Sequence, residues 1–134
     1  MNVIFVPSKC HKPWHEGNCE SNPKSTFYFF DSTRRFCGEY QACGPVKDDV
    51  NMFTSMPDCK AECASPFRVK RRECLIDWGL RLRTPTTDGK KIKRAYNKYT
   101  GMCEVFIKQK GYPTPPLFDT WDECDRYCLI DILA

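Results

Sequence analysis

Ten cysteines, two histidines and a glutamate set directly after a cysteine are the residues of this chain whose types could do chemistry. Thiols this dense pair as disulfides, hold zinc together with histidine, or act as nucleophiles. Cys10, His11, His15 and Cys19 have the residue types of a zinc site, and the C-x3-C pairs could each be half of one. The matching cysteine repeat described next uses every thiol, which favours disulfides and leaves His11 and His15 as polar residues of an exposed loop. Both histidines lie near one cysteine, so no nucleophile and base pair can be assembled, and neither enzyme activity nor a metal or cofactor is expected.

The elements that must position these cysteines repeat. Cys10, Cys19, Cys37, Cys43, Cys59 and Cys63 form one set, and Cys74, Cys103, Cys124 and Cys128 a second. Each set ends in C-x3-C, a spacing that puts two sulfurs on one face of a helix. A helix start precedes each pair: Ser55 with Asp58 resembles a capping box, and Thr120 with Glu123 has its T-x-x-E form. Upstream lie two β-prone runs around a polar turn, TFYFF, DSTRR and FCGEYQA in the first half, KIKRAY, NKYTG and MCEVFIK in the second. Each reads as a two-stranded antiparallel hairpin. Repeats of about 55 residues are domains rather than solenoid units.

An even, dense cysteine count in 134 residues argues for bridges in place of a large core, and for an oxidising, extracellular compartment. MNVIFVP has no basic n-region and an apolar run of only Val3 to Val6, so the chain reads as mature, secreted protein. Charge divides unevenly. Residues 1–63 carry 7 Lys/Arg against 8 Asp/Glu, net −1, and residues 64–134 carry 14 against 9, net +5. Two segments of opposite sign suggest surfaces with different partners. A net charge of +4 without a reading motif does not point to nucleic acid.

Residues 10–63 and 74–128 resemble the Kunitz, or bovine pancreatic trypsin inhibitor, family. Tyr40 and Phe106 stand three positions after Cys37 and Cys103, and the family signature N-x-F-x-S-x3-C is present as Asn51, Phe53, Ser55 and Cys59. Phe118, Thr120 and Cys124 keep that register, with Pro116 in place of the asparagine. The resemblance implies a small disulfide-rich α+β fold of two tandem domains, each a twisted two-stranded antiparallel hairpin plus a C-terminal helix. It implies the pairs Cys10–Cys63, Cys19–Cys43 and Cys37–Cys59 in a first domain of residues 1–63. In a second, atypical domain of residues 74–134 it implies Cys74–Cys128 and Cys103–Cys124, with Gly111 standing where a further cysteine would be. Residues 64–73, with Pro66 and the charged RVKRRE, are expected to be a short extended linker.

The resemblance also implies a protease-binding loop of Asn18, Cys19, Glu20, Ser21 and Asn22, flanked across the bridge by Ala42, Cys43 and Gly44. Such a loop works by preorganisation. Glu20 would enter the specificity pocket, and against the aspartate of a trypsin-like pocket the repulsion is roughly 4 kcal/mol at ~4 Å and an effective dielectric of about 20. A simple trypsin inhibitor is therefore disfavoured. Only five residues separate Cys37 from Cys43, against the family's usual seven, which reshapes the neighbouring loop. In the second domain the missing bridge forgoes about 3.5 kcal/mol, and Arg81 or Arg83 is the pocket candidate.

Two such modules with altered loops look like the two-Kunitz salivary anticoagulants of ticks, the ixolaris type, built on the plan of tissue factor pathway inhibitor. That likeness implies a secreted monomer that blocks the tissue factor/factor VIIa complex using factor X or Xa as scaffold. The first domain would face factor VIIa and the second an exosite on factor X or Xa. For exosite docking the second domain offers a basic patch, Arg68, Lys70, Arg71 and Arg72 followed by Lys90, Lys91, Lys93 and Arg94, and an opposed acidic one with Asp119, Asp122, Glu123 and Asp125. The basic residues could also meet a heparin-like glycan or anionic phospholipid. Kunitz frames without a basic pocket residue also serve as toxin-like binders of ion channels or receptors, which is the alternative.

Overall fold

The structure is a computed structural model that describes residues 4–80 and 91–130. It is small, disulfide-rich and α+β, and it divides into two compact units, Phe5–Phe67 and a second formed by Met1–Ile4 with Arg68–Ala134. Among the described residues no helix is long and apolar enough to cross a membrane.

In the first unit a single 3-10 turn, Ser8–His11, precedes an antiparallel hairpin of β1 (Lys24–Asp31) and β2 (Phe36–Cys43). Asp31 closes the hairpin: its side chain accepts from the N–H groups of Thr33 and Arg34, and its carbonyl accepts from Arg35, which has φ 58°. Aspartate is suited to this because its short carboxylate reaches backbone two residues on. Next comes α1 (Met56–Cys59), whose N-cap Ser55 accepts from Asp58 N–H at 3.2 Å. It runs into a π-helical turn, Lys60–Ala64, and on into α2 (Ser65–Arg68).

Asn51 joins hairpin to helix. Only 1% exposed, it accepts from Phe30 N–H at 2.9 Å and donates to the carbonyls of Phe30 and Lys12, both at 2.8 Å. Phe53 exchanges two backbone hydrogen bonds with Tyr28 beside it. Phe30, Phe53 and the cysteines Cys10, Cys37, Cys59 and Cys63 make the core, with Phe67 stacked on Phe30 at 5.4 Å between centroids.

The second unit repeats the plan with the hairpin β3 (Arg94–Asn97) and β4 (Met102–Val105) and the helix α3 (Trp121–Cys128). Tyr28, Asp31, Arg35 and Cys37 correspond to Arg94, Asn97, Gly101 and Cys103, each 66 positions on. Asn97 takes the role of Asp31, its side chain accepting from Tyr99 N–H, and Gly101 at φ 75° takes that of Arg35. Phe118 exchanges two backbone bonds with Arg94, and Thr120 caps α3 by accepting from Glu123 N–H at 3.1 Å.

Five bridges hold these frames: Cys10–Cys63, Cys19–Cys43, Cys37–Cys59, Cys74–Cys128 and Cys103–Cys124. By chain entropy each contributes about 3–4 kcal/mol, which matters in units too small to bury a large core. Cys10 and Cys19 belong to different bridges, so no thiolate remains for the zinc set of Cys10, His11, His15 and Cys19.

Residues 64–73, expected as a short extended linker, include helical and buried positions. Ala64 to Phe67 stay helical, with Ala64 in the first core and Phe67 packed against it, while Val69 is 1% exposed in the second and pairs with Leu129. Burial of Val69 and partial burial of Phe67 oppose the extended, solvated state that the charges of RVKRRE suggest.

Candidate functional site

The approach to Cys19 is tied down residue by residue. Trp14 pairs with Asn51, the Tyr40 hydroxyl donates to the His15 carbonyl at 2.5 Å, Cys43 N–H donates to the Glu16 carbonyl at 3.0 Å, and Asn18 N–H donates to the Gly44 carbonyl at 3.0 Å. Burial holds the Tyr40 phenol above its ordinary pKa. Its ring packs with Trp14 and Phe29, at 6.0 and 5.4 Å between centroids.

Beyond this anchored stretch Cys19–Ser21 form a turn. Asn18 caps it: its side-chain oxygen accepts from Glu20 N–H at 3.1 Å, and its carbonyl accepts from the Asn22 side-chain amide at 3.1 Å. Asn18, Cys19, Glu20 and Ser21 are exposed and Asn22 is half-buried. The Glu20 carboxylate makes no ion pair among the described residues. Two features differ from a substrate-like loop. The backbone turns where an extended strand would offer its N–H and C=O groups, and Ala42 and Cys43 are buried, leaving only half-buried Gly44 on the far side of the bridge.

In the second unit side chains hold residues 77–79. Trp78, 1% exposed, donates its indole N–H to the Tyr96 carbonyl at 2.8 Å and packs on Phe106 at 5.1 Å. Gln109 donates to the Trp78 carbonyl at 2.9 Å, and Asn97 to the Gly79 carbonyl at 3.0 Å. Asp77 accepts from the Tyr99 hydroxyl at 2.6 Å and pairs with Lys98. Arg81, Arg83 and Lys90 lie outside the described residues.

The fold interlocks the two charge patches. Lys91 pairs with Asp119 at 3.2 Å, and Lys93 both pairs and hydrogen-bonds with the same carboxylate. That hydrogen bond with Lys93, then the one with Lys91, holds Asp119 below the ordinary carboxylate range, and it holds Lys93 above the ordinary lysine value. The Arg94 guanidinium donates to the Asp119 carbonyl and lies 4.9 Å over the Trp121 ring. Asp122 pairs with Arg126 at 2.9 Å, and Glu123 accepts from the Thr120 hydroxyl at 3.1 Å. Asp125 is exposed and makes no ion pair among the described residues.

Sequence reading missed Asn18 as a turn cap, although asparagine two positions before a turn N–H signals one. It also missed Trp121, whose contact with Arg94 depends on the Arg94–Phe118 pairing.

No family model matches the chain, and no curated protein matches it. Among solved structures the chain is similar to one chain of a structure titled "Structure of the complex between SmCI and human carboxypeptidase A4", at 25% identity, over 90% of this chain, with a TM-score of 0.38. It spans 66% of the chain it matches, and a superposition this loose identifies neither fold nor partner.

Proposed function

We propose that this is a secreted protease-binding protein of the Kunitz kind, an anticoagulant that blocks the tissue factor/factor VIIa complex with factor X or Xa as scaffold. The observation that carries this reading is the contrast between the units. The first presents an exposed turn bearing Glu20 on a base fixed by Cys19–Cys43 and two backbone hydrogen bonds. The second has Gly111 where a bridge would stand. A pinned turn suits contact with a protease, and a unit without that bridge suits exosite docking, which needs no rigid substrate mimic. Five bridges fit an oxidising, extracellular setting.

The turn at residues 19–21 also favours a second reading, a toxin-like binder of a channel or receptor, since a turned backbone is not a substrate mimic. Plasma clotting separates the two. With the protein present, clotting triggered by tissue factor should lengthen at much lower concentration than clotting triggered by a contact activator. Equal potency in both counts against the factor VIIa target, and no effect in either leaves the second reading.

A further inference from the structure

The proposed function leaves the basic run Arg68, Lys70, Arg71 and Arg72 unused. Its residues are those after which trypsin-like and other basic-specific proteases cut. Such proteases need several residues of extended backbone whose N–H and C=O groups are free to pair with the enzyme.

Here part of that backbone is already paired. Ile130 N–H donates to the Arg68 carbonyl and Lys70 N–H to the Cys128 carbonyl, each at 2.8 Å, and between them buried Val69 is bridged antiparallel to Leu129. The Arg71 guanidinium lies 4.2 Å over the Tyr127 ring and donates to the Tyr127 carbonyl at 2.6 Å. Arg72 opens a 3-10 turn, Arg72–Leu75, in which Cys74 N–H donates to the Arg71 carbonyl. The pairing segment cannot drift away easily, because Cys128 is bonded to Cys74.

We propose that residues 68–72 are a latent cleavage site for proteases specific for arginine or lysine, held shut by their pairing with residues 127–130. Hydrolysis would add one water across the Arg71–Arg72 bond, leaving a carboxylate on Arg71 and an ammonium on Arg72. No bridge joins a cysteine up to Cys63 with one from Cys74 onward. A cut in this run therefore severs the two halves, whereas a single cut between Cys74 and Cys128 leaves its pieces joined. The inference holds whatever the protein binds.

The test incubates the full, disulfide-bonded chain with an arginine-specific cysteine protease, which a binder of serine proteases does not engage. Separation of the halves is followed by non-reducing electrophoresis, with mass spectrometry of the new ends. Separation should be at least about a hundredfold slower than cleavage at the same residues of the reduced, alkylated chain, because it must wait for local opening. Ile130→Pro removes the N–H that Arg68 accepts. Leu129 before it already has φ −89° and ψ 139°, the extended backbone a proline requires, and Ile130 is 42% exposed, so the core is left alone. That variant should separate about fivefold faster, one hydrogen bond's worth, without faster cutting after Arg94. Native separation at the rate of the reduced chain, or no change in Ile130→Pro, overturns the proposal. Should the variant unfold its unit, native amide exchange decides: Lys70 and Ile130 N–H must be protected at least about a hundredfold, and unprotected amides overturn it equally.

Discussion

Gly17 passes so close to Cys43 that a Cβ built on it would lie 1.4 Å from the Cys43 carbonyl oxygen, and its φ is +75°. The obstruction is backbone, so no side chain can yield. Gly17→Ala should cost at least about 2 kcal/mol, from left-handed strain together with forced displacement of the loop. Denaturant unfolding measures the loss, and amide exchange at Asn18 should report the broken bond to Gly44.

Asn51→Ala should cost the first unit about 3 kcal/mol. It leaves the buried N–H and C=O of Phe30 without their partner and frees the Lys12 carbonyl. Unfolding midpoints of parent and variant at constant slope check this. A loss below about 1 kcal/mol would mean that water replaces the amide.

Glu20→Arg should inhibit trypsin measurably where the parent does not, since it exchanges like-charge repulsion for a charge-assisted pair. An inert variant would show that the turn capped by Asn18, rather than charge, excludes the protease.

The Tyr127 hydroxyl donates to Glu73 at 2.7 Å, which holds the Glu73 carboxyl below, and the Tyr127 phenol above, its ordinary pKa. The carboxylate's contribution is present above its unfolded pKa and lost as pH falls through the lowered folded one. The phenol's is present below its unfolded pKa and lost as pH rises through the raised folded one. The difference in Tm between parent and Tyr127→Phe should therefore be largest between these limits and shrink toward both acid and alkali. A difference independent of pH would remove Glu73 as the partner.

Asp119→Asn should increase retention on a cation exchanger more than Asp125→Asn does. Each removes one negative charge, but only the first releases Lys91 and Lys93 from an ion pair. Equal shifts would mean that the lysines already face solvent freely.

The hairpins and helix starts could be read from the sequence because their signals are local: aromatic runs, polar turns, and Ser55 and Thr120 three residues before their partners. Cysteine pairing could not, since spacing allows many connectivities, and it came only with the family resemblance. The helical continuation to Arg68 was hidden by Pro66, whose ring collides with the carbonyl four residues back in a regular helix. A π-helical turn immediately upstream alters that geometry. Interlocking of the charge patches was invisible as well, because Lys93 and Asp119 are 26 positions apart and meet only through the Arg94–Phe118 pairing.

The three tryptophans differ sharply in their surroundings. Trp78 is 1% exposed and bonded to Tyr96, while Trp14 and Trp121 are 55% and 46% exposed. The second unit thus carries its own optical reporter: iodide should quench emission from Trp14 and Trp121 and spare a blue-shifted residue from Trp78. Opening of that unit alone would then register as a red shift with new access to quencher, distinguishable by wavelength from events around Trp14 in the first unit.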